Sequence, residues 1–333
     1  MERVWDSIVK FIESKQTILL TAHLNPDGDA IGSEIALALY LQQQGKRVHI
    51  INSDPTPVFF QFLDDTHLIQ EYDASVHSEV IASCDGCIVV DASEWKRLGA
   101  IHTALKDSGL PIACIDHHMG ENQIGKAEVI DSTASSTGEL VYDFLIQQRA
   151  NLSQTMLDAL YTCILTDTGS FRFSNTTPQT HRIVADLLER GANFQSVYST
   201  IFESNSKHRT WLKGELLAHL HFEENDALAW FVMPQALLRK TGAQEWEAEG
   251  FSELPRTVNG VEISIMFTET KDGLAKASFR SRGHIPINAL AQQFGGGGHQ
   301  YAAGAALSMP LEEAIERVVS AAKQYLAKYR GTA

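Results

Sequence analysis

Thr17-Ile-Leu-Leu-Thr-Ala-His23-Leu-Asn-Pro-Asp27-Gly-Asp29-Ala30-Ile-Gly32-Ser33 decides how this chain folds. The apolar run 17–22 is short and continuous and then breaks into polar residues. A strand covered on both faces has that form, because a half-wet strand would alternate. Beyond it, Ile31, Ile35, Leu37, Ala38 and Leu41 recur at helical spacing across 30–44. Further continuous runs lie at 47–51, 87–90 and 112–115, with helical patterns between them. Strands alternating with helices predict an α/β unit whose parallel sheet carries helices on both faces.

Outward from that core the pattern turns helical over 133–165, with Ser153 as an N-cap, and again over 180–190, stopped by Gly191. Residues 192–217 are polar, helical in rhythm and read as a linker between domains 1–191 and 218–333. The second domain is strand-rich, at 227–233, 261–268 and 275–280. Asn259-Gly260 and Lys271-Asp272-Gly273 are hairpin-type turns. Helices at 287–293 and 311–329 make this a smaller α+β domain.

The 333 residues are 44% hydrophobic and 20% charged, enough apolar material for two cores and wrong for a disordered or fibrous chain. No apolar run reaches the roughly 18 residues of a membrane span, and the first residues do not resemble a signal peptide. Cys84, Cys87, Cys114 and Cys163 are too few for a disulfide scaffold, so reduced thiols in a cytoplasmic protein are expected. Net charge is −14, and it is unevenly shared. Residues 1–206 hold 27 acidic and 13 basic side chains, whereas 207–333 hold 14 of each. Neither half has the basic excess that a groove for long or duplex nucleic acid requires.

Polar residues cluster where the apolar strands end. The first strand runs into His23, Asp27 and Asp29, the third into Asp91, and the fourth into Asp116-His117-His118. A helical segment delivers Asp167 in Thr166-Asp-Thr-Gly-Ser-Phe-Arg172. A single Asp after a strand is ordinarily a cap or turn former, but this succession is not explained so. Ligands bind outside the carboxyl ends of strands in such sheets. Asp27, Asp29, Asp91 and Asp167 crowded together would repel strongly, and two divalent cations would neutralise them. Imidazole and carboxylate without thiolate suit Mn2+, with Mg2+, Fe2+ or Co2+ as substitutes. A metal pair of that kind clamps a phosphoryl oxygen and activates water, which points to hydrolysis of a phosphoester or phosphoanhydride. In the second domain Arg280, Arg282 and His284 precede Gly295-Gly296-Gly297-Gly298-His299. Consecutive glycines let backbone N–H groups converge on an anion, and arginine offers forked donors.

Together, His-x-Asn-Pro-Asp-Gly-Asp-Ala-x-Gly-Ser, Val-Val-Asp91, Asp-His-His, Thr-Asp-Thr-Gly-Ser-Phe-Arg and Gly-Gly-Gly-Gly-His resemble the DHH phosphoesterase superfamily over nearly the whole chain. Within it the pattern is similar to the NrnA-like branch of nanoRNases that also dephosphorylate pAp. The resemblance implies that His23 and Asp27 bind one metal, Asp29, His117 and Asp167 the other, and that Asp91 bridges them. It implies that His118 faces the scissile phosphate and that Asp116 orients the histidine pair. Arg280, Arg282, Gly296, Gly297, Gly298 and His299 would hold a substrate phosphate or terminal nucleotide. The implied substrates are short single-stranded RNA or DNA, linear dinucleotides such as pApA, or pAp, with no membrane partner and with a homodimer as one assembly.

Two alternatives stand beside this. One is an inorganic pyrophosphatase or exopolyphosphatase; the other is a non-catalytic nucleotide-binding regulator on the same scaffold. Other attractive features have plain explanations. Cys84-x-x-Cys87 has no second pair to complete a zinc site. Gly28 and Gly32 lack dinucleotide-fingerprint spacing. Trp95 and Arg97, just after Asp91, suit a substrate entrance or ordinary packing equally well.

Overall fold

The run after Gln16 folds as strand β1 (Thr17–Thr21), and all five of its residues are buried. With β2 (Arg47–Asn52), β3 (Ile69–Glu71), β4 (Gly86–Val90), β5 (Ile112–Asp116) and β6 (Ala127–Ile130) it forms a six-stranded sheet ordered β3-β2-β1-β4-β5-β6. Every pairing in it is parallel. The computed structural model of the chain describes residues 4–118 and 124–330.

Helices α1 (Asp6–Glu13), α2 (Gly28–Gln43), α3 (Ala74–Ser83), α4 (Ile101–Ser108), α5 (Thr137–Gln147), α6 (Gln154–Asp167), α7 (Pro178–Glu189) and α8 (Phe194–Tyr198) complete the first unit. The strands are continuously apolar because each of their faces meets a separate core. Ile18, Leu20, Ile88 and Val90 pack with Ile31 and Ile35 of α2, Leu140 of α5 and Leu160 of α6. Leu19, Cys87, Val89 and Cys114 pack with Ile81 of α3 and Leu105 of α4. The four thiols are unpaired and buried. Sequence reading missed β3 and β6 because edge strands of three and four half-exposed residues carry no apolar run.

Local chemistry sets the helix ends. Asp27 caps α2, its Oδ1 accepting from the amides of Asp29 and Ala30 at 3.0 and 3.2 Å. Ser153 caps α6 as expected. A Thr177–Thr180 capping box with Pro178 in the first turn starts α7 two residues before the expected position.

The chain divides between Ser204 and Asn205. Residues 192–217 fall on both sides of that division. Val197 of α8 belongs to the first core, and Leu212 and Leu216 of α9 (Lys207–Ala218) pack with Phe231 and Met233 of the second unit. The second unit holds strands β7 (His221–Glu223), β8 (Leu228–Met233), β9 (Ile263–Glu269), β10 (Leu274–Ser281), β11 (Gly297–His299) and β12 (Ala302–Pro310), and helices α10 (Gln235–Thr241), α11 (Asn288–Gln292) and α12 (Leu311–Arg330). Its sheet is ordered β11-β12-β10-β9-β8-β7. Lys271-Asp272-Gly273 turns the β9–β10 hairpin, with Gly273 at φ +79°. Asn259-Gly260 does not turn a hairpin: β8 and β9 run parallel, so these residues lie on a crossover that includes α10. Among the described residues no helix is long and apolar enough to cross a membrane.

Contact between α2 and α6 depends on a glycine. A Cβ on Gly32 would sit 2.5 Å from both the Ala159 carbonyl oxygen and Cys163 Sγ. Gly32→Ala is expected to cost about 1–3 kcal/mol by overpacking, read as a lower urea midpoint with unchanged slope. An unchanged midpoint would show that the helices separate freely.

Candidate metal centre

Strand order reverses between β1 and β4, and at such a switch point the two loops that leave the strands part and open a crevice. His23 lies just beyond β1 there, Asp91 directly follows β4, and His117 follows β5 on the neighbouring strand. Capping by Asp27 turns α2 back over the crevice and sets Asp29 in its first turn. Asp167 arrives as the last residue of α6.

These six side chains meet. Ligand atoms of His23, Asp27 and Asp91 lie within 4.8 Å of one another, as do those of Asp29, His117 and Asp167. Asp91 belongs to both neighbourhoods. Its Oδ2 is 3.2 Å from His23 Nε2, while its Oδ1 is 3.6 Å from His117 Nε2. His23 Nδ1 faces the Leu24 carbonyl oxygen at 2.8 Å, which turns Nε2 toward the carboxylates. Asp29, Asp91 and His23 are buried, whereas the Asp27 side chain is half exposed.

His117 Nε2 is the atom that tests whether a cation fits. It is buried without a hydrogen-bond partner. It lies 3.8 Å from Asp29 Oδ2, 3.6 Å from Asp91 Oδ1 and 3.6 Å from Asp167 Oδ2. Those separations are too long for hydrogen bonds and match the edges of a coordination shell with bonds of about 2.0–2.3 Å. A divalent metal fits this donor set.

The proton equilibria carry the same message. Burial, then the charges of Asp91, Asp167 and Asp27, push Asp29 well above the usual carboxylate range. Asp167 is raised by burial and by Asp27 and Asp91. Burial would raise Asp91 too, but hydrogen bonds to His118 and His23 hold it well below that range. For His23 burial is again outweighed, by the hydrogen bond to Asp91 and the charges of Asp27 and Asp91, so it is raised to about 9. His118 is likewise raised to about 10 despite burial, through Asp116 and Asp91. The upward shifts of Asp29 and Asp167 have one cause, carboxylates packed together away from water.

Asp116 orients one histidine rather than the pair. Its Oδ1 accepts the His118 amide at 3.0 Å and lies 2.8 Å from His118 Nδ1. His117 Nδ1 instead faces the Ala134 carbonyl oxygen at 3.4 Å, because the loop ahead of α5 passes behind that ring.

Several supporting residues escaped the sequence reading. Amides of Thr137 and Gly138 donate to Asp29 Oδ2 and Oδ1 at 2.7 and 2.8 Å. The Thr137 hydroxyl donates to Asp91 Oδ1 at 2.9 Å. Asn175 Nδ2 holds Asp167 Oδ2 at 3.1 Å. Under His23, Asn52 Nδ2 donates to buried Glu34 while its Oδ1 accepts the Ala22 amide. Ser136-Thr137-Gly138-Glu139 was legible as a helix cap, but nothing local says that the helix it starts faces Asp29. Asn25, Asp91, Ser170 and Phe171 all have φ between +51° and +65°, a concentration of non-glycine left-handed backbone around one site.

The second unit modifies the phosphate-site expectation. The Gly295 and Gly296 amides donate to Gln292 and Ala291 at the end of α11, so Gly296 has no N–H to offer an anion. Gly297 and Gly298 pair with β12 as strand. Close backbone approach explains Gly296 and Gly298, where a Cβ would lie 2.1 Å from the Gly304 carbonyl oxygen and 2.7 Å from that of Ala302. Arg280 Nε is 2.5 Å from Glu253 Oε1, and Arg256 grips the other oxygen of that carboxylate. Arg282 is exposed, and the side chain of His299 lies outside the described residues. Trp95 and Arg97 sit in a 3-10 turn, where the Arg97 carbonyl oxygen accepts the Leu24 amide. Cys84 and Cys87 are both buried and far from ionising, their thiols pushed up by burial.

Comparison with known proteins agrees with the geometry. Residues 17–164 match the model of the DHH family, N-terminal domain, and 235–328 that of the DHHA1 domain. A bifunctional oligoribonuclease and PAP phosphatase NrnA of Thermus thermophilus is 32% identical over 98% of this chain and 94% of its own. Its Bacillus subtilis counterpart is 27% identical over 90% and 92%. The crystal structure of an exopolyphosphatase-related protein from Bacteroides fragilis superimposes with a TM-score of 0.91 at 27% identity, covering 98% of this chain and 96% of that one.

A divalent cation should raise the melting temperature, and EDTA should reverse the rise. Asp91→Asn removes the charge while suiting the left-handed backbone there, since asparagine tolerates φ near +57°. That variant should melt normally without metal and lose the metal-induced rise. A full rise in Asp91→Asn would remove Asp91 from the centre.

Proposed function

As this chain belongs to the NrnA-like DHH phosphoesterases, we propose that it hydrolyses short oligonucleotides, linear dinucleotides such as pApA and the 3'-phosphate of pAp, using two Mn2+ ions per chain. It is a hydrolase of phosphoester bonds. The observation that carries the finer reading is Asp91, with one carboxylate oxygen toward His23 and the other toward His117. One carboxylate turned to two imidazoles suits a pair of ions better than one.

In this reading His23 and Asp27 hold one ion, Asp29, His117 and Asp167 the other, and Asp91 both. Metal ions at such a site polarise the phosphoryl oxygen and lower the pKa of bound water. The chain's own residues do the rest. Asp116 locks the His118 ring and supports its positive form, so His118 is suited to binding a non-bridging phosphate oxygen and giving a proton to the leaving group. Burial of Asp29 and Asp91 keeps bulk water from screening these charges.

Substrate recognition falls to the neutral second unit. Arg280 is engaged with Glu253, so a substrate phosphate has to displace that carboxylate, and Arg256 keeps Glu253 occupied when it does. Arg282 and the His299 neighbourhood complete the cationic cluster. Residues 1–206 would still carry about −10 with two divalent ions bound, which disfavours a long polyanion beyond the gripped phosphates.

An activity panel with Mn2+ over pAp, pApA, a 5-mer, a 24-mer and pyrophosphate tests the assignment. Turnover of the first three is expected to exceed both others, whereas pyrophosphate as the best substrate would favour the pyrophosphatase alternative. Arg280→Ala should raise KM for pAp about tenfold or more and leave metal content unchanged; unaltered kinetics on every nucleotide would overturn its role. A trimer should outcompete a 24-mer at about 0.1 M salt. Equal or greater kcat/KM on the 24-mer would defeat the charge argument.

A further inference from the structure

Thr137 is the first residue of α5, and its hydroxyl does nothing for that helix. Capping is done by Ser136, whose side chain accepts the Glu139 amide. The Thr137 hydroxyl instead points away from the helix and donates to Asp91 Oδ1 at 2.9 Å, while its amide donates to Asp29 Oδ2 at 2.7 Å. Thr137 is fully buried. One residue thus grips two carboxylates, one in the first turn of α2 and one just after β4.

Asp91 needs such a grip. Its backbone sits at φ +57°, a left-handed conformation unfavourable for a residue other than glycine. Its carboxylate can turn about its final bond, and an intermediate turn would swing both oxygens out of line with His23 and His117. The hydroxyl of Thr137 reaches the oxygen on the His117 side and fixes that torsion.

We propose that Thr137 is a positioning residue that locks the Asp91 carboxylate in the orientation that joins the two metal pockets into one coupled centre. This rests on the two-ion reading above. Thr137→Val keeps shape and backbone N–H and removes only the hydroxyl; Thr137→Ser keeps the hydroxyl and loses a methyl group. The measurements are Mn2+ calorimetry and the electron paramagnetic resonance signal of a spin-coupled Mn2+ pair, on the full chain.

Thr137→Val is expected to bind Mn2+ between about ten- and hundredfold more weakly and to lose most of the coupled signal at stoichiometric metal. Thr137→Ser should retain both, and the metal-free melting temperatures should agree. Should Val fail to fold, Thr137→Ala compared with Thr137→Ser separates the hydroxyl from the methyl. Wild-type affinity and coupling in Val, or equal loss in Ala and Ser, would overturn the role of Thr137 while leaving the two-ion centre standing. A wild-type chain without a coupled pair would overturn both.

Discussion

Four carboxylates crowd the switch point of a parallel sheet, and the first unit is organised around the cost of holding them together. Like charges this close in a low dielectric repel by several kcal/mol unless something positive stands between them. The fold supplies part of the answer itself. Amides opening α5 take both oxygens of Asp29, where the positive end of the helix dipole adds to the hydrogen bonds. Asn175 takes Asp167, and His23 and His118 take Asp91. What protein donors leave unbalanced is the demand for a cation.

That demand also explains the packing beneath the site. The Asp29 amide interactions require α5 to close onto α2, and Gly138 makes this possible: a Cβ there would lie 2.1 Å from the Cβ of Cys163. Gly32 does the same on the other side of Cys163. Its thiol, 3.4 Å from the Asp29 carbonyl oxygen, fills the space between three helices. Glycine, cysteine and alanine at these positions are small because ligand geometry sets the spacing of the helices.

How much of this was readable depends on whether the signal was local. The buried strands, α2 and the six candidate ligand residues each announce themselves within a few positions of sequence. Edge strands β3 and β6 do not, being short and half exposed. Asn259-Gly260 had hairpin chemistry but lay between parallel strands, a matter of topology that no turn signal encodes. In the glycine run the amides of Gly295 and Gly296 are taken up by the end of α11, which no local signal discloses. Thr137 lies 108 residues from Asp29, and a partnership across that distance is invisible without the fold.

The strand order has a consequence for the making of the protein. Because β1 lies at the middle of the sheet, its neighbour β4 and the helices α5 and α6 that cover it are synthesised long after it. His23, Asp27 and Asp29 leave the ribosome early, yet their charges find no partner amides until α5 has emerged, and no closing carboxylate until the last turn of α6. Assembly of the centre therefore depends on contacts of long sequence separation, which are slow to form. A nascent chain that stops short of α6 has no complete cavity in which to trap a wrong metal. The second ligand group is complete only when the last turn of α6 has emerged, although His23, Asp27 and Asp91 all precede it in the chain.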